Sequence, residues 1–163
     1  MPDQETGRDP QSQDTTLVVR RIIQAAPERL FKAWTEPEQL KKWWGPQSVT
    51  CVDAEVDLRI GGRYRIANQF PDGKVLWISG EFQIIEPPHK LVYTWRIGPH
   101  SLPAELVTVT LEPRPAGATE VIVVHKRIPN KTARNRHEQG WFGCLDGLAR
   151  HLGWALRPAS APL

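Results

Sequence analysis

The chain has 163 residues, of which 40% are hydrophobic and 24% charged, with a formal charge of +3. That is the size and composition of one globular domain with a sizeable buried core. No apolar run approaches the roughly 20 residues needed to span a bilayer, and the basic residues interleave with acidic ones, so neither membrane insertion nor specific nucleic-acid binding is expected.

Residues 1–15 are rich in Asp, Gln, Ser, Thr and Pro and predict a disordered tail. They carry no basic-then-apolar signal pattern, so the expected location is cytoplasmic. The β-branched stretch 16–24 predicts a first strand that ends at Ala25-Ala26-Pro27. Pro27 suits a first helical turn, and Leu30, Phe31 and Trp34 then share a face. Thr35-Glu36-Pro37-Glu38 has the form of a capping box, with Thr35 as N-cap of a second short helix that carries Leu40, Trp43 and Trp44 and stops at Gly45-Pro46.

From Val49 the apolar period changes to two. Thr50, Val52, Ala54, Val56 and Leu58 alternate with Cys51, Asp53, Glu55 and Asp57, a strand with one wet face. Gly61-Gly62 turns the chain into a strand over 63–70, and Pro71-Asp72-Gly73 leads to a long strand over 74–85 with Gly80 as a bulge. Pro87-Pro88-His89 turns it again. Strands follow with Leu91, Tyr93, Trp95 and Ile97, then with Val107, Val109 and Leu111, then over 119–127. The connections are too short for parallel crossovers, so the sheet is expected to be antiparallel.

Residues 131–152 form one amphipathic helix, with His137, Trp141, Cys144, Leu145, Leu148 and Leu152 on one face and Asp146 and Arg150 opposite. Gly140, Gly143 and Gly147 cluster beside the stripe. Each costs about 1 kcal/mol of helix propensity relative to Ala, and bare backbone there permits close approach to a neighbour or leaves room for a ligand. The stretch 154–163 predicts a flexible second tail, leaving one domain over 16–153. The fold class is α+β, in the order strand, helix, helix, six strands, long helix.

Several motifs in this order resemble a known family: residues 34–46 (WTEPEQLKKWWGP), 57–63 (DLRIGGR), 80–88 (GEFQIIEPP) with 91–95 (LVYTW), and Gly140-Trp141 leading to Leu145. The chain is similar to the activator of heat-shock-protein-90 ATPase homologue family, within the SRPBCC superfamily that includes START lipid-transfer domains and the birch pollen allergen. The resemblance runs over 16–152. It implies a helix-grip fold, a curved antiparallel sheet of about seven strands wrapped on the C-terminal helix, with an apolar cavity between. Superfamily members use that cavity to carry lipids or hormones, to bind polyketides, or for lyase and cyclase chemistry. The co-chaperone that names the family has an additional N-terminal domain where this chain has a short tail, so a chaperone partner ranks as a third reading.

Of seven Trp residues, most suit core packing. Tyr64, Phe82, Trp95 and Trp141 are the candidate lining of a concave site, with Trp44 or Trp43 at its mouth and Leu145 on the same helix face as Trp141. Such a lining suits a hydrophobic or aromatic small molecule, lipid-like or polyketide-like. On the last strand Val121, Val123 and His125 share a face, and His137 shares that of Trp141, so both histidines point toward the same space. They either orient a ligand, act as acid and base in a cyclase or hydrolase, or are hydrogen-bonded structural groups at the rim. No carboxylate can be assigned from sequence to orient either ring. Asn68 shares the Tyr64 and Ile66 face and adds a possible donor. Asp53, Glu55 and Asp57 match no metal loop and read as a solvated face. Cys51 and Cys144 lack metal-ligand spacing, and Cys144 lacks the setting of a nucleophile, so reduced packed thiols are expected. No catalytic residue, metal site or cofactor is assigned.

Overall fold

The computed structural model describes residues 16–46, 48–99 and 103–153. Strand β1 (Leu17–Ile23) is followed by helices α1 (Pro27–Thr35) and α2 (Pro37–Trp43). Six strands follow: β2 (Thr50–Val56), β3 (Arg63–Gln69), β4 (Val75–Glu86), β5 (Lys90–Ile97), β6 (Glu105–Arg114) and β7 (Ala118–Lys126). Helix α3 (Lys131–Leu148) ends in a wider π-type turn, Ala149–Gly153. Both predicted tails lie outside the described residues.

The strands form one curled seven-stranded sheet in the order β1-β7-β6-β5-β4-β3-β2, antiparallel at every pairing. Strands β2 to β7 are a simple meander, and β1 closes the far edge by docking on β7, with α1 and α2 spanning the sheet between its two edges. Among the described residues no helix is long and apolar enough to cross a membrane.

The apolar stripe of α3 is buried as its period requires: Trp141, Cys144, Leu145, Leu148 and Leu152 are each at most 3% exposed. Asn130 caps the helix by accepting the Ala133 N–H at 2.8 Å. The glycines divide their labour. A Cβ on Gly147 would stand 2.5 Å from the Trp43 carbonyl oxygen, so this glycine lets α2 and α3 touch through backbone, whereas a Cβ on Gly140 would meet nothing within 4 Å.

Three local expectations are corrected. The capping box does not form: α1 continues through Thr35, whose hydroxyl donates to the Phe31 carbonyl at 2.8 Å, and Glu36 takes the N-cap of α2 with no side-chain capping bond to the backbone. A bulge between Cys51 and Asp53 shifts the phase of β2, so Cys51 is buried and Val52 exposed while Ala54 returns to the core. The bulge of β4 falls between Phe82 and Ile84 rather than at Gly80, whose absent Cβ instead accommodates the Thr94 carbonyl oxygen at 1.9 Å from where that carbon would lie. Two of the acidic residues expected on a solvated face are engaged by cations: Arg65 bonds Glu55 on β2, and Arg59 bonds Asp57 just beyond it.

Candidate functional site

The space between sheet and helices is largely filled by aromatic rings. Trp141 on α3 lies 6.1 Å from Trp34, 5.6 Å from Trp44 and 5.7 Å from Trp95, measured between ring centroids, and all four are buried. What remains is an open recess of about 110 Å³ and, behind the Trp44 and Trp95 rings, a void of about 20 Å³. The recess is walled by Trp44, Phe70, Ile78, Trp95, Trp141 and Cys144, with Asn68, His137, Arg136 and the bare backbone of Gly140 among its other borders.

Of the residues expected at the site, Trp44, Asn68, Trp95, His137 and Trp141 line this recess. Tyr64 and Phe82 do not reach it; they border the inner void with Trp44 and Trp95, and Tyr64 spends its hydroxyl on the Thr94 carbonyl at 2.7 Å. His125 and Leu145, 0% and 1% exposed, sit in the packed core beside it. Trp43 is buried, its indole N–H donating to the Ala33 carbonyl. The expected single cavity is thus divided, because the rings that line it also fill it.

Beneath the recess lies a polar cluster. Glu105, at the start of β6, accepts on one oxygen from His125 Nε2 at 2.7 Å and from His137 Nε2 at 2.9 Å. The two imidazoles are stacked at 4.6 Å. Glu105 is therefore the carboxylate that could not be assigned to these rings from sequence. The signal was parity: Glu105 shares the inward face of Val107, Val109 and Leu111, and Val107 pairs with His125 across the β6–β7 ladder, which places Glu105 diagonal to His125.

Trp141 fixes the proton arrangement of this cluster. An indole N–H only donates, and Trp141 Nε1 lies 3.0 Å from His125 Nδ1, so Nδ1 is the acceptor and Nε2–H donates to Glu105. Protonating His125 would set two donors against each other. Burial also pushes the His125 pKa below its ordinary value, outweighing the Glu105 hydrogen bond. For Glu105, burial opposes ionisation, but the hydrogen bonds from His125 and His137 outweigh it and hold the carboxyl at about 2. The cluster is a carboxylate with a neutral His125.

Glu105, His125 and His137 bring three potential ligand atoms within 4.8 Å of one another. A metal bound at His125 Nε2 would require the proton on Nδ1, facing the Trp141 N–H donor to donor. The donor set therefore fits a hydrogen-bond cluster better than a metal centre. Cys144 is equally unsuited to nucleophilic work, since burial pushes its thiol up to about 12.

A curled antiparallel sheet closed over a C-terminal helix, with a small apolar recess between them, defines a helix-grip protein of the SRPBCC class. The model of the family described as Activator of Hsp90 ATPase homolog 1-like protein matches residues 24–153, and the chain belongs to that family. Among solved structures, protein CV1439 from Chromobacterium violaceum is 30% identical with a TM-score of 0.78, the match covering 85% of this chain and 97% of that one. The AHSA1 protein SPO3351 from Silicibacter pomeroyi is 27% identical with a TM-score of 0.71, covering 83% and 95%. Protein NE0264 from Nitrosomonas europaea is 26% identical with a TM-score of 0.72, covering 85% and 94%. No curated protein matches significantly.

Proposed function

We propose that this protein binds a small aromatic molecule in the recess between the sheet and α3. The observation that carries the reading is the wall itself: Trp44, Phe70, Trp95 and Trp141 around about 110 Å³ of space open to solvent. Pockets for drug-sized ligands run to roughly 300–1,000 Å³, whereas an engineered apolar cavity of about 150 Å³ takes benzene. Size therefore favours a single ring over the whole lipid or fused-ring polyketide that the family resemblance suggested. Aromatic walls suit such a ring through edge and face contacts. A ligand-observed NMR screen of single-ring, fused-ring and long-chain compounds tests this. Single-ring compounds are expected to give the hits; hits confined to long-chain compounds would overturn it.

The Glu105–His137 pair favours a second reading, an enzyme of the cyclase or hydrolase kind. His137 borders the recess, a carboxylate orients its Nε2, and its Nδ1 has no partner among the described residues. That is an arrangement a general base requires. A substrate turned over by the wild type and slowed about 100-fold by both Glu105→Gln and His137→Gln would establish it.

A further inference from the structure

The indole N–H groups of the ring cluster are not alike. Trp34 donates to the Tyr93 hydroxyl, Trp43 to the Ala33 carbonyl, Trp44 to Asn68 Oδ1 and Trp141 to His125 Nδ1. Trp95 is just as buried, yet its Nε1–H has no acceptor among the described residues. The Trp95 ring divides the recess from the inner void and borders both. A buried donor with no partner carries an uncompensated desolvation cost, which an acceptor on a ligand in the recess relieves once the ring edge shifts to admit it.

Resting on the binding reading above, we propose that Trp95 Nε1–H is the recognition point for an oxygen acceptor on the ligand. The class selected is a single aromatic ring bearing a carbonyl oxygen. The neighbouring polar groups agree with that polarity. Asn68 already spends its oxygen on Trp44, leaving its amide nitrogen as a donor, and Arg136 at the recess has no carboxylate partner among the described residues. A ring without an acceptor would leave the Trp95 donor as it stands, so the recess discriminates by hydrogen bonding as well as by size.

Two probes of nearly one shape test this: acetophenone, and α-methylstyrene, in which a CH₂ replaces the carbonyl oxygen. Each is titrated into the ¹⁵N-labelled full chain while the indole signals, assigned through Trp44→Phe, Trp95→Phe and Trp141→Phe, are followed. Acetophenone is expected to bind about tenfold more tightly and to move the Trp95 indole proton downfield. In Trp95→Phe the preference is expected to fall to within about twofold. Because that substitution disturbs a packed ring cluster, the wild-type preference and the Trp95 signal each stand as tests without it. Equal binding of both probes with the Trp95 signal unmoved overturns the inference and leaves the binding reading intact. If neither probe moves the Trp44, Trp95 or Trp141 signals, the binding reading falls, and this inference with it.

Discussion

Trp141 is where packing and polar chemistry meet, and its truncation separates them. The side chain is 3% exposed and contacts the rings of Trp34, Trp44 and Trp95. Burying a Trp removes about 150–250 Å² from water, or roughly 4–6 kcal/mol at about 25 cal/mol per Å². Trp141→Ala would open the vacated volume onto the existing recess, so water enters and the cost falls below that of a sealed hole, to about 3–5 kcal/mol. Trp141→Phe keeps a ring against the same neighbours but removes the N–H bonded to His125 at 3.0 Å. It leaves Nδ1 an unpaired buried acceptor, a cost of about 1–3 kcal/mol. Urea denaturation followed by far-UV circular dichroism measures both. A loss under about 1 kcal/mol for Trp141→Ala would refute the packing account. A Phe variant as damaging as the Ala variant would refute the division between ring and N–H.

Acid should weaken the fold through Glu105. Its folded pKa of about 2 lies below the ordinary 4.5, so its contribution is present above about pH 4.5 and lost as pH falls toward 2. Solvent screening of this half-buried carboxylate keeps the amount below the roughly 3 kcal/mol that the full shift would give, and Glu105→Gln should flatten that part of a stability–pH curve. His125, depressed by burial, acts in the same sense: below its ordinary 6.5 the unfolded chain takes a proton that the folded protein refuses, so stability declines there, and His125→Gln should remove that decline. Gly147→Ala should destabilise by more than the roughly 1 kcal/mol that Ala gains in helix propensity, because the new methyl meets the Trp43 carbonyl at 2.5 Å, while Gly140→Ala should stabilise by up to about 1 kcal/mol; thermal melts distinguish the two. If the recess only binds, His125→Gln or His137→Gln should change the affinity for a single-ring ligand by no more than about 1–2 kcal/mol by calorimetry; a larger loss with the fold intact would contradict that.

The order of elements was legible because each strand face and the α3 stripe carry their period in the residues themselves. What escaped depended on irregularities that periodicity does not encode. The β2 bulge put Cys51 inside and Val52 outside against the alternation. Thr35 looked like a cap, but α1 ran one residue further and took Thr35 into its last turn. Glu105 was hidden by beginning β6 at Val107; extending the strand two residues toward the N-terminus would have set it on the inward face with His125. The burial of Trp95 and Trp141 followed from their stripes, whereas the size of the recess did not. It depends on how four indoles tilt against one another, at angles from 24° to 86°, which only three-dimensional packing determines.

The location of binding is tested most directly by plugging the recess from α3. Gly140 borders it and a Cβ there meets nothing within 4 Å, so Gly140→Leu starts from open space on α3 and is aimed at the recess rather than at the sheet. The measurement is calorimetric titration of a single-ring aromatic, acetophenone, into the wild type and Gly140→Leu, with the melting temperature of each recorded. The account predicts binding to the wild type and its loss in Gly140→Leu, at a melting temperature equal to or above that of the wild type. Undiminished binding by a well-folded Gly140→Leu would contradict it.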